Sequence, residues 1–158
     1  MCEKKFDLLD ELRDITGALE KEGIDYALVG GLAYSALVRS RATEDIDLLI
    51  DPQDWEKVKE ILKGFGYEDL SEPMDFESIR MRRLVKLGEG ESLMVDFLFA
   101  DTDDFKAGIK QAIRVGRQNH SYNVAPPEVL IRLKEQRMSD IDKMDIDGLR
   151  RLLEDQES

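Results

Sequence analysis

Cysteine and histidine are nearly absent from this 158-residue chain, which has one of each, Cys2 and His120. A single cysteine cannot form an internal disulfide and cannot supply a cysteine-based zinc site. A single histidine leaves histidine metal centres and Ser-His or Cys-His nucleophile systems without partners. Set in the polar stretch RQNHSYN, it reads as an exposed loop or edge residue. Long apolar runs are missing too, none approaching the roughly 20 residues a membrane-spanning helix needs. The opening MCEKKFDLLDELRD carries charges throughout and lacks the apolar segment of a secretory signal, so a cytoplasmic location is the expectation. Positive charge is scarce: 23 Lys and Arg against 35 Asp and Glu give a net charge of −12. Long polyanions are repelled by such a body. The basic residues are nevertheless clustered, RSR at 39–41, RMRR at 80–83 and RVGR at 114–117, and such local patches could receive a phosphate.

With 42% hydrophobic and 37% charged residues, the composition is that of a globular protein, and the length suits one domain spanning residues 1–158. Phe6, Leu9, Leu12, Ile15 and Leu19 recur at helical spacing over 3–21, with Gly23 as the stop. DYALVGG reads as a short buried strand entering a double glycine, LAYSALV as a helix, and DIDLLI as a second buried strand. Asp51-Pro52 supplies an N-cap and a first-turn proline for a helix through Trp55, Val58 and Leu62, ended by GFGY. Residues 80–87 and 93–99 read as a hairpin around GEGES. After Asp101 a helix is expected with Phe105, Ile109 and Ile113 on one face, then a short strand HSYNV. APPE opens a helix near Glu128, and Ser139 caps a last one through Ile141, Met144, Leu149 and Leu152. The class this order implies is α+β, a small mixed β-sheet with helices packed mainly on one side.

Asp-Ile-Asp occurs at 45–47, 140–142 and 145–147. In a chain this rich in aspartate, roughly two D-x-D matches arise by chance, so context must separate the copies. On a strand, residues two apart share a face; on a helix they diverge. EDIDLLI is strand-like, which sets Asp45 and Asp47 side by side with Ile46 turned into the core. Carboxylates held that close repel each other and call for a divalent cation. SDIDKMDIDGLRRLL has helical apolar spacing, which scatters its aspartates over an exposed face or crowds them at the favourable helix N-terminus. Gly30 and Gly31 follow a strand and precede a helix, where backbone N–H groups can approach a phosphate. Asp96 sits in the apolar strand LMVDFLF, where an unpaired charge is costly and metal ligation beside Asp45 and Asp47 supplies a reason. Three carboxylates beside a glycine phosphate loop suit two-metal phosphoryl transfer.

VGGLAYSALVRSRATEDIDLLID resembles the signature of the nucleotidyltransferase (polymerase-β-like) superfamily: a glycine pair, a helix, D-h-D, and a later third aspartate. The finer resemblance is to small bacterial nucleotidyltransferase-like families related to the abortive-infection (AbiEii-type) toxins. It is carried by GG-A, R-T-DID, VDFLF and the tail APPEVLIRLKEQRMSDIDKMDIDGLRRLL, in which Lys134, Asp142 and Asp145 fall on family positions. Gly31 stands where the superfamily often has serine. The resemblance implies a nucleotidyltransferase fold in which Asp45, Asp47 and Asp96 hold Mg²⁺ or Mn²⁺ and carry catalysis. It also implies that Gly30 and Gly31 cradle the triphosphate, while Lys134 and Arg41, or Arg39, neutralise it. The activity implied moves a nucleoside monophosphate from a nucleoside triphosphate to a hydroxyl of RNA (a tRNA end included), a protein or a small molecule such as an antibiotic. An antitoxin chain is the possible protein partner, and no membrane is involved. The alternative is a non-catalytic nucleotide-binding or toxin–antitoxin interaction protein that retains the fold; the intact acid triad favours the enzyme.

Overall fold

The computed structural model describes residues 7–30, 33, 46–75, 79–88, 90–117, 120–135 and 140–157, with backbone alone at 91, 117, 140–145 and 156–157. Helix α1 spans Leu8–Lys21, and its start is set by Asp7, whose carboxylate accepts from the N–H groups of Leu9 and Asp10 at 3.0 and 3.2 Å. Leu12, Ile15, Thr16 and Leu19 form its buried stripe, and Gly23, at φ +72°, turns the chain into strand β1, Tyr26–Val29. The helix expected over LAYSALV lies outside the described residues apart from Ala33, which is buried. Strand β2 is Ile46–Ile50. Asp51 caps as expected, accepting from the Gln53 N–H at 2.9 Å, but Pro52–Asp54 makes a tight 3₁₀ turn before helix α2, Trp55–Gly64.

The remaining elements are β3 (Tyr67–Glu68), β4 (Met74–Asp75), β5 (Arg80–Gly88), β6 (Glu91–Phe99), α3 (Asp103–Lys110), β7 (Ile113–Arg117), β8 (His120–Val124), α4 (Pro127–Glu135) and α5 (Asp140–Glu157). Among the described residues the strands form one mixed sheet in the order β3-β5-β6-β2-β1-β8-β7, with β4 on β5. Its pairs are antiparallel except β2–β6 and β1–β8, which run parallel. The class is therefore the expected one. Leu48, Leu49 and Ile50 are consecutive and fully buried, so β2 runs through the centre of the core. Trp55 of α2 packs its ring 5.5 Å from both Phe97 and Phe99, which fixes that helix on one face of β6. Helix α1 is tied to the sheet through Glu11, which accepts from the Tyr67 hydroxyl at 3.0 Å and from Lys86 Nζ at 2.6 Å. Burial, with the Glu11 charge second, pushes the Tyr67 phenol well above its usual range, so it stays a donor.

Two expectations are corrected by pairing across the sheet. Ile113 does not extend the helix of Phe105 and Ile109: α3 stops at Lys110, and Ile113 opens β7 opposite Val124. Its side chain is 36% exposed, against 4% and 8% for the other two. The spacing of four was coincidental, and ladder formation with β8 prevailed over periodicity. His120, expected as an exposed loop or edge residue, is half-buried where it opens the expected strand HSYNV as β8, paired with Arg117 of β7 and with its Nε2 3.4 Å from Arg13 Nη1.

Candidate functional site

Sheet register builds the site. Asp47 of β2 pairs with Val29 of β1 on one side and with Asp96 of β6 on the other; Asp96 in turn pairs with Arg83 of β5. Directly paired residues point to the same face, so Arg83, Asp96 and Asp47 form one row, with about 4.8 Å between strands. Asp96 is 5% exposed, yet it is not the unpaired charge its apolar strand implied. Arg83 grips it in a fork, Nε donating to Oδ1 at 2.7 Å and Nη2 to Oδ2 at 3.0 Å. Asp47, half-buried, follows at the start of β2.

Gly30 closes the row at the end of β1. Its φ of +74° is a left-handed conformation, and a Cβ there would lie 2.2 Å from Asp47 Oδ2. The Asp47 carboxylate thus rests directly on the Gly30 backbone, a contact only glycine permits. Helix α4 begins at the same end of the sheet: β8 runs parallel to β1, and the Ala125 N–H donates to the Leu28 carbonyl at 3.0 Å just before Pro127. Lys134, two turns along α4, is 5% exposed. A lysine so buried is held by partners rather than by water. Gly31, Arg39, Arg41 and Asp45 lie outside the described residues. Among the described residues no group of three or more His, Cys, Asp or Glu is placed to hold a metal ion. Asp47 and Asp96 form a pair of carboxylates on one face, suited to a hard divalent cation.

Among the described residues, Arg80, Arg82 and Arg114 of the other basic clusters pair with neighbouring acids. Arg80 donates to both oxygens of Asp101 at 2.8 and 2.6 Å, Arg82 to Asp75 at 2.8 Å, and Arg114 to Glu20. Arg80 and Arg82 pair with Phe99 and Phe97, so they stand on the face opposite Arg83, their guanidiniums 5.1 and 5.3 Å from the Phe99 ring centre. The hydrogen bond from Arg80 holds the Asp101 carboxyl below the usual carboxylate range. A depressed folded pKa stabilises above the unfolded value and ceases to as pH falls through the folded one. Asp101→Asn should therefore lower the melting temperature at neutral pH, within the roughly 0–1 kcal/mol of an exposed pair, with the deficit vanishing in acid. Thermal melts of both proteins across that range check it; a deficit that widens in acid refutes the assignment.

The second and third Asp-Ile-Asp copies lie on α5, where Asp147 is exposed. An open depression of about 520 Å³, lined by residues that include Arg13, Glu20, Arg114 and His120, shares no residue with the Arg83–Asp96–Asp47 row. It belongs to α1 and the β7–β8 edge of the sheet.

The family model described as "Uncharacterised nucleotidyltransferase" matches residues 3–104, a span that contains Gly30, Gly31, Asp45, Asp47, Arg83 and Asp96. No curated protein matches the chain. Among solved structures, the lincosamide antibiotic adenylyltransferase LnuA, lincomycin-bound, superposes with a TM-score of 0.63 at 19% identity, over 90% of this chain and 96% of that one. A candidate nucleotidyltransferase from Thermotoga maritima does so with a TM-score of 0.63 at 17% identity, over 93% and 92%. The antibiotic-resistance factor ANT(2'')-Ia gives 0.63 at 16% identity, over 91% and 81%. At these identities the likeness is one of fold.

Proposed function

From the premise that this chain belongs to the uncharacterised nucleotidyltransferase family and has a nucleotidyltransferase fold, we propose that it moves a nucleoside monophosphate from a nucleoside triphosphate to a hydroxyl acceptor, using Mg²⁺ or Mn²⁺ at Asp45, Asp47 and Asp96. The observation behind this reading is the in-register Asp47–Asp96 pair, with Asp47 resting on the Gly30 backbone. In the reaction the acceptor oxygen bonds to the α-phosphorus, the α–β bridging bond breaks, pyrophosphate leaves, and the hydroxyl proton is released. A divalent cation at these carboxylates would neutralise triphosphate oxygens and lower the pKa of the acceptor hydroxyl. Gly30 and Gly31 offer backbone N–H donors to the phosphates, as a loop entering a helix does. Lys134 and Arg41 supply the positive charge that a triphosphate requires.

The acceptor we favour is a small hydroxyl compound. A net charge of −12 disfavours long RNA, and Arg80, Arg82, Arg83 and Arg114, which might have tracked a phosphate backbone, pair with Asp101, Asp75, Asp96 and Glu20. LnuA and ANT(2'')-Ia, which share the fold, are by name a lincosamide adenylyltransferase and an antibiotic-resistance factor. The test is incubation with each α-labelled nucleoside triphosphate and Mg²⁺, with lincosamides and aminoglycosides, other small alcohols, total RNA or protein as acceptor. Label is expected in a small molecule, and none when EDTA replaces Mg²⁺. Nucleotide binding without transfer to any acceptor would replace the enzyme by a binding protein.

A further inference from the structure

Asp96 is held in a way that the proposed metal site does not by itself require. A carboxylate on a flexible Cβ–Cγ bond rotates over a broad range, and a cation ligand needs a fixed plane. The β5–β6 register puts Arg83 directly opposite Asp96, and the two parallel hydrogen bonds of 2.7 and 3.0 Å engage both carboxylate oxygens. A carboxylate has about four lone-pair sites, so a fork that occupies one on each oxygen leaves two. On the other side of Asp96 stands Asp47, in register on β2. The row therefore reads cation, anion, anion, with Arg83 offsetting part of the repulsion between the two carboxylates.

Building on the proposed metal reading, we infer that Arg83 is the positioning residue of this site: its fork fixes the plane of Asp96 and leaves that carboxylate's remaining lone pairs for the cation shared with Asp47. The environment suits this role. The Asp96 side chain is 7% exposed and that of Arg83 30%, so water competes poorly for the carboxylate. Arg82, one residue away, also makes an ion pair, but with exposed Asp75 on the opposite face. Lysine would keep the charge and lose the fork, because an ammonium is a point donor rather than a planar pair of N–H groups.

The experiment titrates Mn²⁺ alone into wild type, Arg83→Lys, Arg83→Gln, Arg82→Lys and Asp47→Asn, following free Mn²⁺ by electron paramagnetic resonance, with melting in EDTA recorded in parallel. Arg83→Lys is expected to weaken Mn²⁺ binding by about 10–100-fold, the range for loss of a group that orients a metal ligand. It should also alter the zero-field splitting of the bound ion while melting close to wild type. Arg83→Gln, which keeps an N–H donor but neither fork nor charge, should lose at least as much affinity and serves if the lysine variant does not fold. Arg82→Lys should bind as wild type does. Wild-type affinity and splitting in both Arg83 variants, or an equal loss in Arg82→Lys, would overturn the inference. Asp47→Asn separates the two levels: if it keeps wild-type Mn²⁺ affinity, the metal reading itself has failed.

Discussion

Asp47→Asn is expected to cut nucleotidyl transfer by on the order of a thousandfold, since charge stabilisation by a bound cation is worth several kcal/mol and each 1.4 kcal/mol is tenfold. The substitution is nearly isosteric, so the β2 core of Leu48, Leu49 and Ile50 should be untouched and the melting temperature in EDTA little changed. The thermal stabilisation that Mg²⁺ gives wild type by binding the native state should disappear. Asp147→Asn, on the exposed side of α5, should keep both transfer and the Mg²⁺ response. Assays of transfer and melting with and without Mg²⁺ decide between them. An equal loss in the two variants would mean that the copy at 45–47 has no special standing.

Gly30→Ala should have the next largest effect, through two independent causes. The new Cβ would meet Asp47 Oδ2 at 2.2 Å, so one of the two must move, and the φ of +74° is strained for any residue with a side chain. Moving a reacting constellation by about 1 Å costs roughly a hundredfold, and that is the loss of transfer expected. The left-handed conformation adds about 1–2 kcal/mol of destabilisation, visible as a lower melting temperature. Gly17→Ala is the control, because a Cβ at that exposed helical position meets nothing within 4 Å. If Gly30→Ala transfers at the wild-type rate, the close contact between the glycine turn and Asp47 has no catalytic role.

Much of this could be read from the chain because strand alternation and caps are local. The Asp51 cap, the Gly23 stop and the strand placing Asp47 all follow from residues within a few positions of one another. What escaped was set by pairing at long range. β7 formed because Ile113–Arg117 lies opposite His120–Val124, and β3 and β4 are two-residue strands that, among the described residues, pair with β5. Arg83 is the instructive miss. RMRR reads as a local basic patch that could receive a phosphate, and Asp96 as a charge in need of a metal. Yet the GEGES turn held the signal: with two residues at the turn, Gly88 faces Glu91, and counting back along the hairpin puts Arg83 opposite Asp96. The burial of Lys134 had no comparable signal, since it depends on tertiary packing around α4.

The most direct measurement is the position of Mn²⁺ by anomalous diffraction from crystals grown with a non-hydrolysable nucleoside triphosphate. The expected result is anomalous density between Asp47 and Asp96, with carboxylate oxygens at about 2.0–2.6 Å, Asp45 completing the set, and phosphates against the Gly30–Gly31 turn. Arg83 should still hold Asp96 from the far side. Density among Asp140, Asp142, Asp145 and Asp147 on α5, with the Asp47–Asp96 pair empty, would contradict it.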